Sequence, residues 1–481
     1  MLYYAVEIHP GEFDSDEHYY PKVLNAQLHP LVRYFLNLTN EQIIYRYCHF
    51  HPQVEEEKLR ELLDFKPKYF RWAGADLFAV TTGRGVRQMV LIETNSCPSG
   101  NKSMPYIEEQ RRGGYERLLA NSFLPTMKKK KNLPDGKLAV IYDKNPMENI
   151  GYARTLADLV DDMVYAVEFH YDDPNAPVKF EEGIMYVRNQ HNQWIQIKAA
   201  FRYVTQKPWT QIPIITKTMI YNPILACLAG GRNKLIAAKA YDFFNADYKD
   251  TGLQIRVPET IWDLSKNEIP LWVERMGGFA CIKNPYSNAG QGVYTIMNQH
   301  ELQQFMEKDY PYDKFIVQSL IGNSQWSSNM KLSRLYHIGT VPNLKHEFFA
   351  ADLRMMVCSS PEGFRPIAMY ARRARKHLSN EIADTIDSWE MLGTNLSVRN
   401  PDGTWGEPDV NRLLLMDRRE FNRLGLGLDD LIESFIQTVM GVIAIDKIAR
   451  KFISKKGEFK KNLFQSLVPD KKLFDEILIS K

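Results

Sequence analysis

One stretch of about 35 residues constrains this chain more than any other. Lys137-Leu-Ala-Val-Ile-Tyr142 is a short apolar run with β-branched members. A helical stretch follows from about Asn149 to Met163, with Tyr152, Leu156, Leu159 and Val160 near helical spacing, and a second apolar run, Met163 to Phe169, closes it. Strand, helix, strand over this length predicts a βαβ unit and therefore a parallel sheet, because parallel strands need a crossover of that size. Asp135-Gly136 marks the start as a turn. The unit is one part of several: 481 residues exceed a single core and predict two to four subdomains.

The rest of the composition mainly excludes. With 44% hydrophobic and 25% charged residues, the chain has enough apolar content to fold rather than stay disordered. Its 61 basic and 58 acidic side chains leave a net charge of +3, which supplies no argument for nucleic acid or a membrane surface as partner. The basic run Lys128 to Lys131 reads as a solvated loop. Five scattered cysteines without CxxC spacing argue against zinc and against a disulfide framework. Met1 to Pro10 lacks the features of a signal peptide, and no window reaches 18 apolar residues, so the expected location is cytoplasmic. No internal repeat is visible.

Several segments carry chemistry-bearing residues. The apolar strand Gln88 to Glu93 runs into Asn95-Ser96-Cys97-Pro98-Ser99-Gly100. Glu93 and Asn95 share a strand face, which reads either as an ordinary strand-end turn or as two oxygen ligands for a hard cation. Lys283 ends a short strand before a small-residue loop containing Asn288, Gly290, Gln291 and Gly292, and another strand, Val293 to Met297, follows. That is either a glycine-containing hairpin or a cradle for phosphates, and it is no Walker loop, since no Gly-Lys-Ser/Thr follows. Upstream, Asn233 to Phe244 reads as a helix with two lysines, Lys234 and Lys239. The strand Phe315 to Leu320 ends where the backbone of Gln318, Ser319 and Leu320 suits reading an adenine edge. In Phe348 to Val357, Asp352 and Arg354 lie on one face, as a surface ion pair or as a Mg²⁺ ligand beside a phosphate-binding arginine. Asp429 to Phe452 predicts a long amphipathic helix.

The order of these parts resembles the ATP-grasp superfamily. Lys239, about 44 residues before Lys283 and its flap, looks like that family's pair of nucleotide-binding lysines. Glu93-Thr94-Asn95-Ser-Cys-Pro98 fits the family's Glu-x-Asn-x-x-Pro motif but lies almost 190 residues before the flap lysine. That placement resembles the circularly permuted branch, which includes eukaryotic-type glutathione synthetase. The resemblance covers roughly residues 70 to 400 and implies an α/β (α+β) fold, a permuted ATP-grasp core with an inserted βαβ parallel-sheet subdomain. The implied division is 1–136 for the part bearing the motif, 137–230 for the insert, 231–425 for the lysines, flap and hinge, and 426–481 for a C-terminal helical segment. The flap lacks a triple glycine and has no acidic residue between Lys283 and Gly292, so glutathione chemistry itself is not implied.

What the resemblance implies is an ADP-forming ligase, using ATP and Mg²⁺ to join a carboxylate, through its acyl-phosphate, to an amine or thiol of amino-acid or peptide type. Under it, Lys283, Arg354 and Arg372 stabilise transferring charge. Lys239, Lys283, Asn288, Gly290, Gln291, Gly292, Gln318, Ser319 and Leu320 hold the nucleotide, and Glu93, Asn95 and Asp352 hold metal. Arg71, Ser99 and Arg202 are the candidates for substrate contact. Cys97 reads as packing rather than as a nucleophile. A phosphotransferase and a non-catalytic ATP-binding regulator remain as alternatives, and a homodimer is a possible assembly.

Overall fold

The computed structural model describes residues 3–106, 112–287, 290–329, 334–382, 387–396 and 408–479. It is a mixed α/β protein with three sheets. The predicted strand–helix–strand is present as Lys137–Tyr142, Pro146–Val160 and Val164–Glu168, with the two strands parallel and Leu138 opposite Val164. Trp194–Tyr203 and Met219–Tyr221 extend the parallel part, and all of these strands are apolar along most of their length, as strands covered on both faces must be. The strand Val6–Ile8 joins this sheet antiparallel to Val164–Glu168, although it lies more than a hundred residues away in sequence. The start of the chain therefore contributes to the sheet expected to be an insert.

The second sheet is wholly antiparallel among its principal strands. Trp72–Thr82 pairs with Arg87–Asn95 on one side and Phe348–Ser360 on the other, and Gly363–Arg373 continues it. Gly74 is required here by a close approach: a Cβ on it would stand 2.5 Å from the Pro98 Cβ, so the loop after the motif strand lies flat against the neighbouring strand. The helix Leu428–Lys451 packs on this sheet and is buried around nearly its whole circumference, not along one stripe. Two of its acidic groups are satisfied inside. Asp430 accepts from Arg87 at 2.8 and 2.7 Å, and Asp446 accepts from the backbone N–H groups of Lys68, Tyr69 and Phe70. The apolar face expected of this helix thus belongs to a core element.

The third sheet is small and antiparallel, in the order Thr260–Ser265, Lys314–Ser319, Ala280–Lys283, Val293–Ile296. Helices Ile269–Arg275 and Gln299–Glu307 cover one face, and Ile269, Val273, Ile282, Phe305, Phe315 and Val317 form a core of its own. Its other face turns toward the large antiparallel sheet across a cleft. Among the described residues no helix is long and apolar enough to cross a membrane.

Candidate functional site

The cleft is open to solvent and lies beside a narrower recess. Glu93 and Lys283 line both, and Asp76, Asp352 and Arg372 line the larger. These residues come from five strands of two sheets, and pairing explains how the four from the large sheet meet. Asp76 stands opposite Glu93 in one ladder, and Asp352 stands opposite Arg372 in another.

The helix Lys234–Asp247 begins at the edge of this cleft, with Asn233 as its N-cap accepting from the Ile236 N–H. Lys234 Nζ lies 3.1 Å from Glu93 Oε1 and donates to the Ser287 carbonyl and hydroxyl at 3.1 Å each. Lys239 sits elsewhere. Its ammonium pairs with Asp263 at 2.6 Å, donates to the Leu467 carbonyl at 2.9 Å and lies over the Trp262 ring. Lys239 is the expected nucleotide lysine, but it is Lys234 that lines the narrower recess beside the cleft. Five residues separate the two, which turns them about 140° apart on a helix, so one residue cannot stand in for the other.

Lys283 is 5% exposed, and its Nζ lies 3.4 Å from the Ile92 carbonyl. Burial pushes its ammonium below the ordinary lysine value, partly offset by Cys281 and Glu93. At the flap, Gly290 and Gly292 both have positive φ, +80° and +67°. A Cβ on Gly292 would meet the Asn284 side chain at 2.6 Å, so the return of this loop needs glycine for space as well as for conformation. Gly290 lines the cleft, whereas Gln291 and Gly292 face a separate recess beyond it. Asn288 lies outside the described residues.

Gln318, Ser319 and Leu320 line the cleft, as expected of a hinge. Several of their polar groups are already engaged within the protein. The Gln318 amide donates to Thr260 Oγ1 at 2.8 Å, the Ser319 N–H to the Glu259 carbonyl at 2.8 Å, and the Leu320 N–H to Ser328 Oγ at 2.6 Å. Phe78, Ile92, Pro258 and Ile321 give the surrounding wall an apolar character. His337 adds a ring that burial holds neutral, its pKa lowered to about 4.

An arginine–carboxylate lattice forms the floor. Arg354 grips Asp76 with two nitrogens at 2.6 and 2.8 Å, and Arg372 lies 3.0 Å from the same carboxylate. Arg372 also pairs with Asp352, through Nε at 3.0 Å and through its terminal nitrogen, while Thr394 donates to Asp352 at 2.9 Å. Burial would raise the Asp76 carboxyl, but the charges of Arg354 and Arg372 outweigh it and hold it well below the usual carboxylate range. Asp352 and Arg354 do share a strand face, as predicted, but they serve different partners.

Asp352 is therefore clamped rather than presented as a metal ligand. Glu93, with its side chain a quarter exposed, offers a hard oxygen to the cleft, and Asn95 lies 7% exposed two residues on. Among the described residues no three His, Cys, Asp or Glu side chains group into a self-sufficient metal site. The donor set fits a divalent cation at Glu93 whose remaining ligands come from phosphates and water, the usual manner for Mg²⁺.

Two of the expected substrate residues turn out to be structural. Arg202 is fully buried and donates to the carbonyls of Asn222 and Val204 at 2.7 and 2.6 Å. Ser99 donates to Glu148 at 2.5 Å, and that buried carboxylate also accepts from the Gly100 and Asn101 N–H groups at 2.9 Å each. Glu148 lies in the first turn of the helix of the parallel sheet, so it ties the motif loop to that sheet. Arg71 lines a different pocket altogether. Cys97 is buried, and burial lifts its thiol to about 11, which leaves it protonated and poor as a nucleophile.

Lys144, Asp76, Lys234 and Arg232 are the site groups that sequence reasoning did not assign. Lys144 lies in the bend just after the first parallel strand, Lys137–Tyr142. Burial and then the neighbouring Arg232 charge lower its pKa to about 8, with Arg354 also in range. Together with Arg232, which lines the narrower recess, it makes a positive basin beside the motif loop. An acidic residue inside the apolar run Trp72–Thr82 was the available signal for Asp76.

No protein-family model and no curated protein matches the chain. Among solved structures it is similar to a RimK-domain ATP-grasp protein from Sphaerobacter thermophilus, at 12% identity over 48% of this chain and 90% of that one, with a TM-score of 0.28. A glutathione synthetase-like effector from Globodera pallida is similar at 10% identity over 78% and 88%, with a TM-score of 0.37. The VanG D-Ala:D-Ser ligase from Enterococcus faecalis is similar at 12% identity over 64% and 100%, with a TM-score of 0.27. At such low scores these likenesses assign no role to any residue.

Proposed function

We propose that this chain is an ATP- and Mg²⁺-dependent ligase of the ATP-grasp type, permuted so that the metal motif precedes the lysines, and that it joins a carboxylate to an amine or thiol. The observation that carries this reading is the meeting of Glu93, Lys234 and Lys283 at the narrower recess, where Glu93 and Lys283 also line the adjoining cleft with its apolar wall and Arg372. The slot suits a nucleobase. The two lysines suit a triphosphate, since they are buried enough for their charge to act at low effective dielectric. Glu93 and Asn95 would hold the metal, which supplies charge neutralisation between phosphates when bound.

The chain's own residues do the rest by positioning. Lys283 and Lys234 attract the negatively charged phosphates to the place beside Glu93, and Lys234, 3.1 Å from Glu93, orients that carboxylate. Arg372, held from two sides by Asp76 and Asp352, keeps its place without needing to reorganise as charge moves. The Lys144–Arg232 basin beside the motif loop supplies the countercharge for the carboxylate substrate. The Gly290–Gly292 turn closes the other side and excludes water from an activated carboxylate. No enzyme nucleophile is needed, in keeping with the protonated Cys97.

The test is calorimetric titration of ATP with Mg²⁺ into the wild type and Lys283→Ala. Micromolar binding in the wild type, weakened at least tenfold in the variant, supports the nucleotide site. Phosphate release that requires both a carboxylate and an amine or thiol then supports ligation. Absence of ATP binding at any Mg²⁺ concentration removes the reading, and phosphate release with the carboxylate alone turns it into a phosphotransferase.

A further inference from the structure

We propose a second anion site, remote from the cleft, that takes a compact, multiply charged oxyanion of the phosphate-ester or pyrophosphate class. It is an open pocket at the far end of the strand that carries Asp76. Arg71, in its wall, precedes that acidic residue by five positions, about 16 Å of extended chain.

Four segments build the pocket: Lys66 to Arg71 ahead of the strand, the end of helix Leu124–Lys129, the turn at Ser359 to Pro361, and Arg450 on the long helix. Each brings a cation or a hydroxyl. Of the nearby carboxylates, Asp446 is spent, its oxygens accepting from three backbone N–H groups and from Arg450 Nε at 2.7 Å, while Asp64 and Glu362 act on Lys66 alone among the pocket's cations. Lys66 donates to the Ser360 and Pro361 carbonyls at 3.3 and 2.8 Å. Lys68, Arg71 and Lys129 form no ion pair among the described residues. Lys66 and Lys129 are close enough to repel, as are Arg71 and Lys130.

Lys66 and Arg450 have carboxylate neighbours, but the unpaired charges of Lys68, Arg71 and Lys129 around one concave pocket raise the local potential, and an anion seated among them relieves it. Part of the basic run has a simpler cause, since Lys128 and Lys129 complement the C-terminal dipole of their helix. That cause does not reach Lys68 and Arg71, which approach the same pocket from another segment. The Thr126 and Ser359 residues in the wall add polar contacts of the kind phosphate oxygens use. The concavity, bounded by Pro67, Pro125 and Pro361, suits a compact ligand better than a nucleic acid strand, which needs a continuous basic stripe.

The experiment is titration of pyrophosphate into the full chain at low ionic strength, where surface charge is least screened. Saturable binding is expected in the wild type. It should weaken at least tenfold when Arg71→Ala and Lys129→Ala are combined, and likewise in Lys68→Ala with Lys129→Ala, and persist in Lys283→Ala. Thermal unfolding without ligand should not fall in either double variant. Absence of binding in the wild type overturns the proposal. So does binding lost in Lys283→Ala but kept in both double variants, which places the anion in the cleft. Preference for a single-stranded oligonucleotide through the same residues overturns the compact ligand.

Discussion

Lys234 stands in the first turn of its helix, where the positive end of the backbone dipole opposes a cation, so its placement costs stability unless something repays it. Glu93, 3.1 Å away, and the Ser287 oxygens do so here, which marks the lysine as a site residue rather than a helix residue. Lys239 has the opposite character, buried in an ion pair that holds the helix to Asp263. Lys234→Ala should therefore weaken ATP binding at least tenfold and leave stability nearly unchanged. Lys239→Ala should lower unfolding free energy by about 2 kcal/mol, since Asp263 is left without its partner. Paired calorimetry and urea unfolding check this, and the reverse pattern would restore Lys239 to the site. Lys144 supplies a second residue-scale expectation. With its pKa lowered to about 8, it is half neutral at that pH, while an ordinary lysine is almost wholly charged. The pH dependence of Lys144 acylation, read by mass spectrometry, should have its half-point near pH 8 and not in the ordinary lysine range, and ATP with Mg²⁺ should slow it.

Among elements, the joint between the motif loop and the parallel sheet depends on one carboxylate. Glu148 is fully buried, and its oxygens are satisfied by Ser99, the Gly100 and Asn101 N–H groups and the Asn145 amide. Replacing it by alanine leaves several buried donors unpaired, at about 3 kcal/mol in all. Urea unfolding of Glu148→Ala should show that loss. A loss below about 1 kcal/mol would mean that the loop is held by packing against Gly74 instead. The long helix Leu428–Lys451 makes the complementary point. Its sequence pattern is amphipathic, yet its polar residues face partners in the interior, such as Asp446 against the backbone ahead of the Asp76 strand.

At the scale of the molecule, the Asp76–Arg354–Arg372–Asp352 lattice ties three strands of the large sheet and faces the cleft. The Asp76 carboxyl titrates lower folded than unfolded, so its contribution is fully present above the ordinary carboxylate range. It is lost as pH falls through that range toward the lowered value. Below about pH 4, unfolding free energy should fall more steeply in the wild type than in Asp76→Asn, by up to about 1.4 kcal/mol per pH unit. Parallel slopes would show that the lattice contributes nothing to acid sensitivity. Much of this was legible beforehand. The βαβ unit, the motif strand, the lysine-to-glycine hairpin and the lysine helix all follow from local periodicity and turn chemistry, which short segments carry by themselves. The sequence thereby determined that Glu93 and Asn95 share a face and that Lys283 precedes a tight loop. It also set a limit, unused in choosing the lysine, that Lys234 and Lys239 cannot face the same way. Tertiary structure alone decided which lysine meets Glu93, that Asp352 is clamped by Arg372, that Arg202 and Ser99 serve the interior, and that the first strand joins a sheet formed more than a hundred residues later. Those outcomes depend on strand register and on pairings between distant segments, and local sequence does not encode which distant partner a side chain will meet.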